Sequence, residues 1–275
     1  MRHDPEAWVQ RYDRDGYLVV EDCLDGATLT QLRERLDPIL DRPDDVAPGL
    51  RRHIQTEREY LATRAGPQHA GADLTGDAVR LVMELPLFDP TFAQLIRYEP
   101  LLDVLQVLFD STEFHFHNYK CINKAPRASG AFVWHRDLPY LYHSTPNLIT
   151  AMLCLDDMTA ANGATVVLPG SHRLTDERVA LSDQDISESD LPDGFARTVV
   201  ECPAGSAVLF HVNIIHGGGA NQSTMPRRNV IGIWAGPNTY PTGAARYAYQ
   251  DLYPRSADPA RVRQLELSLP HAATG

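Results

Sequence analysis

The chain lacks any uninterrupted apolar run approaching the ~18 residues that a membrane-spanning helix needs. Its first ten residues, MRHDPEAWVQ, contain no apolar core of the kind a secretory signal requires. Positive charge is also in short supply: 25 Lys and Arg stand against 36 Asp and Glu, a formal net charge of −11. Such a field repels phosphate backbones and anionic lipid, so neither nucleic acid nor a membrane is expected as a partner. Cysteine is scarce. Cys23, Cys121, Cys154 and Cys202 are far apart, form no C-x-x-C pair and sit among apolar residues. This predicts free buried thiols, as suits a reducing cytoplasm. There is no internal repeat or low-complexity tract, and no signal for oligomeric state. The 275 residues, 43% hydrophobic and 22% charged, are enough for one domain (1–275) with a full core.

What is present changes character along the chain. Gly16 followed by Tyr17-Leu18-Val19-Val20 predicts a turn into a short strand. Leu29, Leu32, Leu36, Ile39 and Leu40 then fall on one helical face, with Asp25 or Thr28 as cap. Residues 42–76 are polar and rich in Pro, Gly and Asp, predicting irregular or partly helical chain. Residues 77–109 read as helical again, ending in two short packed helices from Pro90 and from Pro100. From residue 112 short alternating runs follow one another between turn residues: 114–122, 131–138, 147–155, 164–169, 197–202, 206–215 and 228–236. Regular short strands of this kind predict a sandwich or barrel. The expected fold is mainly β with flanking helices: residues 1–111 a mostly helical support, 112–240 a two-sheet barrel.

The central motif is Trp134-His135-Arg136-Asp137. On a strand, His135 and Asp137 would share a face, because side chains alternate with period 2. His216, which follows a predicted strand and precedes Gly217-Gly218-Gly219, is the best third donor. Two imidazoles and one carboxylate with the remaining positions open suit ferrous iron in an oxygenase. In such a site 2-oxoglutarate chelates through its 1-carboxylate and 2-oxo group, O₂ takes the last position, and succinate and CO₂ leave. An H-x-D tripeptide alone is a weak signal, and the chain has 11 histidines. His115 and His117 share a strand face but have no carboxylate in phase, which favours a structural role. His143 and His172 fall in loops without a supporting pattern.

The distal carboxylate of the co-substrate needs a counter-charge, and the arginine fork binds carboxylate through two parallel hydrogen bonds. Arg227 and Arg228 open the strand RRNVIGIWAG and point to opposite faces, so only one can enter the barrel. Position relative to His216 favours Arg227, with Asn221 shaping the connecting loop.

Five ordered segments resemble the phytanoyl-CoA dioxygenase family of Fe(II)/2-oxoglutarate oxygenases. They are YDRDGYLVVEDCLDGATLTQLRERL (12–36), INKAPRASG (122–130), WHRDLPY (134–140), LDDMTAANGATVVLPGSH (155–172) and HGGGANQSTMPRR (216–228). Ala125 stands where a proline is often seen and Arg136 where a glutamine is common. The resemblance covers nearly the whole chain. It implies a double-stranded β-helix, a jelly-roll barrel of the cupin type, with Fe(II) and Arg227 on the 5-carboxylate. It also implies co-substrate contacts at Lys120, Thr150, Met152 and Gly218. Asn118, Lys120 and Ile122 share one strand face by alternation. Related halogenases lack the carboxylate ligand, so Asp137 disfavours halogenation. Hydroxylation is the default outcome, while desaturation, epoxidation and cyclisation draw on the same oxidant.

The expected substrate is a small free metabolite in biosynthesis, since no Lys/Arg cluster suits the phosphates of a CoA thioester. Candidate contacts are Asn118, Arg136, which would meet an acidic group on the substrate, and Trp134, Tyr140, Tyr142, His211, Asn213 and Trp234, these six each as plausible in barrel packing as in binding. Residues 42–76 and 173–196 are candidate lids. Two rival readings stand beside the oxygenase: a non-catalytic cupin-like binding protein, and a metal-dependent hydrolase or isomerase. Neither needs an arginine at the anchor position.

Overall fold

The computed structural model describes residues 4–63, 77–174, 185–244 and 247–255. Its strands, numbered in chain order, form two antiparallel sheets. The major sheet runs β1 (Tyr17–Val20), β9 (Ala207–His211), β6 (Leu148–Cys154), β11 (Arg227–Ala235), β4 (His115–Lys124), β3 (Val79–Met83) and β2 (Ile54–Thr56). The minor sheet runs β5 (Phe132–His135), β10 (His216–Gly218), β7 (Thr165–Val167) and β8 (Thr198–Val199). The helices are α1 (Pro5–Asp15), α2 (Gly26–Asp41), α3 (Glu57–Ala62), α4 (Pro90–Gln94), α5 (Glu99–Phe109) and α6 (Leu138–Leu141). None among the described residues is long and apolar enough to cross a membrane.

Alternation along β11 divides the core. Val230 and Trp234 turn outward and pack with Leu32 and Leu36 of α2 and Leu101 and Leu105 of α5. Ile231 turns inward with Ile122, Met152 and Phe210. The α2 helix begins where Asp25 accepts a hydrogen bond from Thr28 N at 2.8 Å, so Asp25 is the cap of the two candidates. Arg228, on the outer face, is held by Asp156 at 2.7 Å and by Asp37, tying α2 to the barrel. All four cysteines are buried and free, with Cys154 and Cys202 Sγ atoms 3.6 Å apart.

Residues 1–111 carry α1 to α5 and three strands of the major sheet. β1 is the short strand expected after Gly16, but the stretch 79–83 (VRLVM), expected to be helical, pairs with β4 through Leu81–Ile122 and Met83–Lys120. A short apolar run does not distinguish a strand from a helix by period alone, and here the partner strand decided it. Within 42–76, residues 54–56 are a strand and 57–62 a capped helix, while 64–76 lie outside the described residues.

A strap at residues 247–255 crosses the start of β4. Phe116 N donates to Leu252 O at 2.9 Å and Asp251 N to Phe116 O at 3.0 Å. Gln250 Nε2 lies 3.1 Å from His117 Nδ1, and the His117 ring packs edge-on against Tyr247. Ala248 N donates to Glu84 Oε2 at 2.7 Å. Burial pushes the Glu84 carboxyl up to about 7, from an ordinary value of 4.5. The folded chain therefore favours the protonated acid. The stabilisation is complete below pH 4.5 and is lost as pH rises through 7. Glu84→Gln is expected to melt at the same temperature as the wild type at pH 4.5 and higher at pH 8, by ~2–4 °C for each kcal/mol relieved. Equal melting temperatures at pH 8 would show that ionised Glu84 costs nothing.

Candidate functional site

His135 and His216 are direct cross-strand partners on β5 and β10, so both imidazoles leave the minor sheet on the same face. Their ring centroids are 4.2 Å apart. His135 Nδ1 lies 2.8 Å from Val133 O and His216 Nδ1 3.1 Å from Ile214 O. Each carbonyl holds the proton on Nδ1 and leaves the Nε2 lone pair free to face a metal. Asp137 Oδ1 is 3.9 Å from Nε2 of either histidine. One donor atom from each of the three residues lies within 4.8 Å of the others, and this is the sole such group among the described residues. Burial, with His216 adding to it, pushes His135 down to about 4, so the ring is neutral as a metal ligand must be. Burial works to raise the Asp137 carboxyl, but His216, Lys120, His135 and the Thr150 hydroxyl together hold it below the usual carboxylate range.

The pair His135 and Asp137 converges for a reason other than the expected one. β5 ends at His135, and Asp137 has helical dihedrals (φ −75°, ψ −33°) at the head of α6, its N–H bonded to Val212 O at 2.9 Å. The turn off the strand, rather than strand alternation, brings the carboxylate back beside the imidazole. Thr150 Oγ1 donates to Asp137 Oδ2 at 2.6 Å and leaves Oδ1 aimed at the histidines. Removing such an outer partner typically costs ~10–100-fold in metal affinity. Thr150→Val is therefore expected to weaken Fe(II) binding by that factor in a titration, with Thr150→Ser close to wild type. Unchanged affinity in the valine variant would deny Thr150 this role.

A cavity opens from the three donors between the sheets. Lys120, Lys124, Thr150, Met152, Gly218, Phe132, Phe210, Ile231 and Arg227 line it. All five residues expected around the co-substrate are thus on its wall, and Lys124 joins them unforeseen. The sequence contains only two lysines, Lys120 and Lys124, and both face this space from β4. Arg227 is 3% exposed and donates to Gly163 O at 2.9 Å, while its Nε has no partner. Lys124 is fully buried and donates to Gly163 O at 3.1 Å and to Gly219 O. Burial pushes Arg227 down to about 10 and Lys124 well below its ordinary range. Among the described residues neither has a carboxylate within ion-pair distance. Charging two buried basic groups without a counter-charge is costly, and an anion placed between them favours the charged form of both. Gly218 keeps that space open: a Cβ there would sit 3.3 Å from Lys124 Nζ.

A second cavity, about 280 Å³, meets the first at His135, Asp137, Lys120, Ile122 and Phe132. Asn118 and Tyr140 line it as expected, joined by Tyr60, Met83, Asp185 and Tyr247. The other candidate contacts belong elsewhere. Trp234 is fully buried on the helix side of the major sheet, edge-on to Phe114 and Phe116. Trp134 donates to Glu188 at 2.7 Å and packs by Ile186 and Leu168. Arg136 is buried away from both cavities and acts electrostatically on His211. His211 accepts from Asn213 N at 3.0 Å, and neither residue reaches the cavities. Tyr142 is 60% exposed. Tyr60, Asp185 and Tyr247 had no local signal, because only the fold brings them to β4. Lys124 did have one, since it continues the Asn118–Lys120–Ile122 alternation by one step.

A family profile described as phytanoyl-CoA dioxygenase matches residues 12–229. The probable α-ketoglutarate-dependent hypophosphite dioxygenase of Stutzerimonas stutzeri is 30% identical over 205 residues, 71% of each chain. The L-proline trans-4-hydroxylase of Streptomyces griseoviridis is 26% identical over 241 residues, 79% of this chain and 81% of that one. Among solved structures, the non-haem α-ketoglutarate-dependent epimerase SnoN from nogalamycin biosynthesis superposes with a TM-score of 0.64 at 24% identity, covering 93% of both chains. That likeness establishes the shared jelly-roll fold. The chain belongs to the phytanoyl-CoA dioxygenase family, the iron- and 2-oxoglutarate-dependent oxygenases of that fold.

Proposed function

We propose that this protein hydroxylates a small free metabolite, with iron held by His135, Asp137 and His216 and with 2-oxoglutarate anchored at Arg227. One observation carries the reading: the His-Asp-His donors share one cavity with two buried basic groups, Arg227 and Lys124, that have no carboxylate beside them among the described residues. A binding scaffold or a hydrolase needs no such groups. When bound there, iron(II) and 2-oxoglutarate supply O₂ activation and oxidative decarboxylation to succinate and CO₂, the driving force for oxidising a C–H bond.

The chain's own residues do the rest. Val133 O and Ile214 O hold the two imidazoles in the ligating tautomer. Thr150 orients the Asp137 carboxylate. Arg227 and Lys124 bind the distal carboxylate, and Lys120 stands between the two cavities. Met152, Phe210 and Ile231 exclude water around the co-substrate chain. Substrate enters by the second cavity, where Asn118 and Tyr140 face the metal ligands. Titration of the anaerobic Fe(II) protein with 2-oxoglutarate tests the first step, and succinate formation with O₂ uptake tests the second. Hypophosphite and L-proline, the compounds named for the two relatives, are the first substrates to try. Absence of 2-oxoglutarate binding would remove the oxygenase reading altogether.

A further inference from the structure

Cys154 and Cys202 are free thiols whose Sγ atoms lie 3.6 Å apart. Cys154 ends β6, and Cys202 follows 48 positions later, between β8 and β9. Backbone bonds clamp the two segments together on both sides of the sulfurs. Cys154 N donates to Ser206 O at 2.9 Å, and Gly205 N donates to Cys154 O at 2.8 Å. Cys202 N donates to Met158 O at 3.1 Å, and Met158 N donates back to Cys202 O at 2.8 Å. A disulfide forms only where the backbone already brings two cysteines face to face, and here the sulfurs need to close by only about 1.5 Å.

The two sulfurs are not equivalent. Cys154 is fully buried, while Cys202 is 7% exposed and lies between exposed Glu201 and Pro203, so a small oxidant reaches Cys202 first. The hydrogen bond with Cys154 holds the Cys202 thiol below its ordinary range despite burial, and Ser206 adds to the lowering. The same hydrogen bond, with burial, pushes Cys154 well above that range. A reactive thiol beside a second thiol able to resolve it is the arrangement that peroxide oxidises reversibly. Cys23 and Cys121 differ in both respects. They lie in the other core cluster, among the helix-packed side chains, and burial pushes each up to about 12. The pair also backs the co-substrate cavity. Cys154 Sγ is 3.9 Å from the carbonyl of Met152, which lines that cavity. Met158, the backbone partner of Cys202, has its Sδ 3.9 Å from Arg227 Nη1.

We propose that Cys154 and Cys202 are a peroxide-responsive pair that closes to a reversible disulfide behind the wall holding Arg227. The Cys202 sulfur attacks one oxygen of hydrogen peroxide. An S–O bond forms, the O–O bond breaks, and the departing hydroxide takes the thiol proton as water. The Cys154 sulfur then attacks the Cys202 sulfur. The S–S bond forms, the S–O bond breaks, and a second hydroxide leaves as water with the Cys154 proton. The two thiols together lose two electrons, and peroxide is reduced to water. A dithiol reductant reverses the change by exchange.

The test uses the full-length protein free of metal, so that peroxide meets the thiols and not iron. Hydrogen peroxide is expected to remove two of the four thiols that titrate after denaturation. Mass mapping without reductant should find the peptides of Cys154 and Cys202 joined and two hydrogens lighter, and dithiothreitol should restore both thiols. Cys202→Ala is expected to keep its three remaining thiols at the same dose. Cys154→Ala should stop at a sulfenic acid on Cys202, trapped by dimedone as a stable adduct. Survival of all four thiols in the wild type, loss of thiols without this bridge, a bridge to Cys23, Cys121 or a second molecule, or an unreacted Cys202 in Cys154→Ala would each overturn the proposal. The wild-type mapping needs no substitution, so it decides the matter even where an alanine variant does not fold.

Discussion

Asp137→Ala is expected to abolish turnover while the protein stays folded. Losing an outer partner of a metal ligand already costs ~10–100-fold, and Asp137 is the sole anionic donor of the set, so the loss should exceed about 100-fold. Three effects add up. The carboxylate oxygen 3.9 Å from both Nε2 atoms disappears, and with it the one negative charge that offsets a divalent cation. The Thr150 hydroxyl loses its acceptor. The two imidazoles, 4.2 Å apart, remain without the group that draws a cation between them. The barrel itself should hold, because the apolar core around Ile122, Met152, Val208 and Ile231 does not depend on the carboxylate. Iron content, succinate yield and circular dichroism measure the three parts. Wild-type turnover in this variant, or in His135→Ala, would take that residue out of the ligand set.

Arg227→Ala should act on the co-substrate alone. Breaking a buried charge pair costs roughly 2–5 kcal/mol, which corresponds to a KM for 2-oxoglutarate raised about 30-fold or more. Lys124 remains beside the vacated position, so the lower part of that range is expected, and Arg227→Ala with Lys124→Met should go beyond it. Arg227→Lys keeps the charge but not the fork and should fall between. Stability gives a second readout. Without co-substrate, Arg227 is a buried cation with no carboxylate partner among the described residues, so the alanine variant should melt no lower than the wild type. Arg228→Ala should do the opposite: it breaks the tie to Asp156 and Asp37 on the outer face and lowers stability, with the 2-oxoglutarate requirement unchanged. A raised requirement in Arg228→Ala, or none in Arg227→Ala, would reverse the assignment of faces.

Several of these features are legible in the residues alone. The strands from 112 onward, the helix after Asp25 and the three donor positions follow from period, caps and residue type. Alternation carries further still. With Arg227 inside, Asn229, Ile231 and Ile233 are inside and Trp234 is outside, so strand parity by itself excludes Trp234 as a substrate contact. The same counting along β4 carries Asn118 and Lys120 on to Lys124. Two local rules mislead. VRLVM at 79–83 is too short for its period to separate strand from helix. Strand alternation puts Asp137 in phase with His135, but the strand has already ended, and their convergence comes from a turn.

The sequence by itself determined the chemistry on offer: two imidazoles and a carboxylate for a metal, an arginine for a carboxylate, and a barrel to hold them. These depend on residue type and on spacings of a few positions, which backbone geometry converts directly into shared faces. The tertiary structure alone decided which of those groups share a cavity. It set His135 opposite His216 through the β5–β10 register and brought Tyr60, Asp185 and Tyr247 to one wall. It also joined Trp134 to Ile186 and Glu188, more than fifty positions away. Such neighbours lie far apart in the chain, and ladder register and core packing bring them together, neither of which is written in any local run of residues.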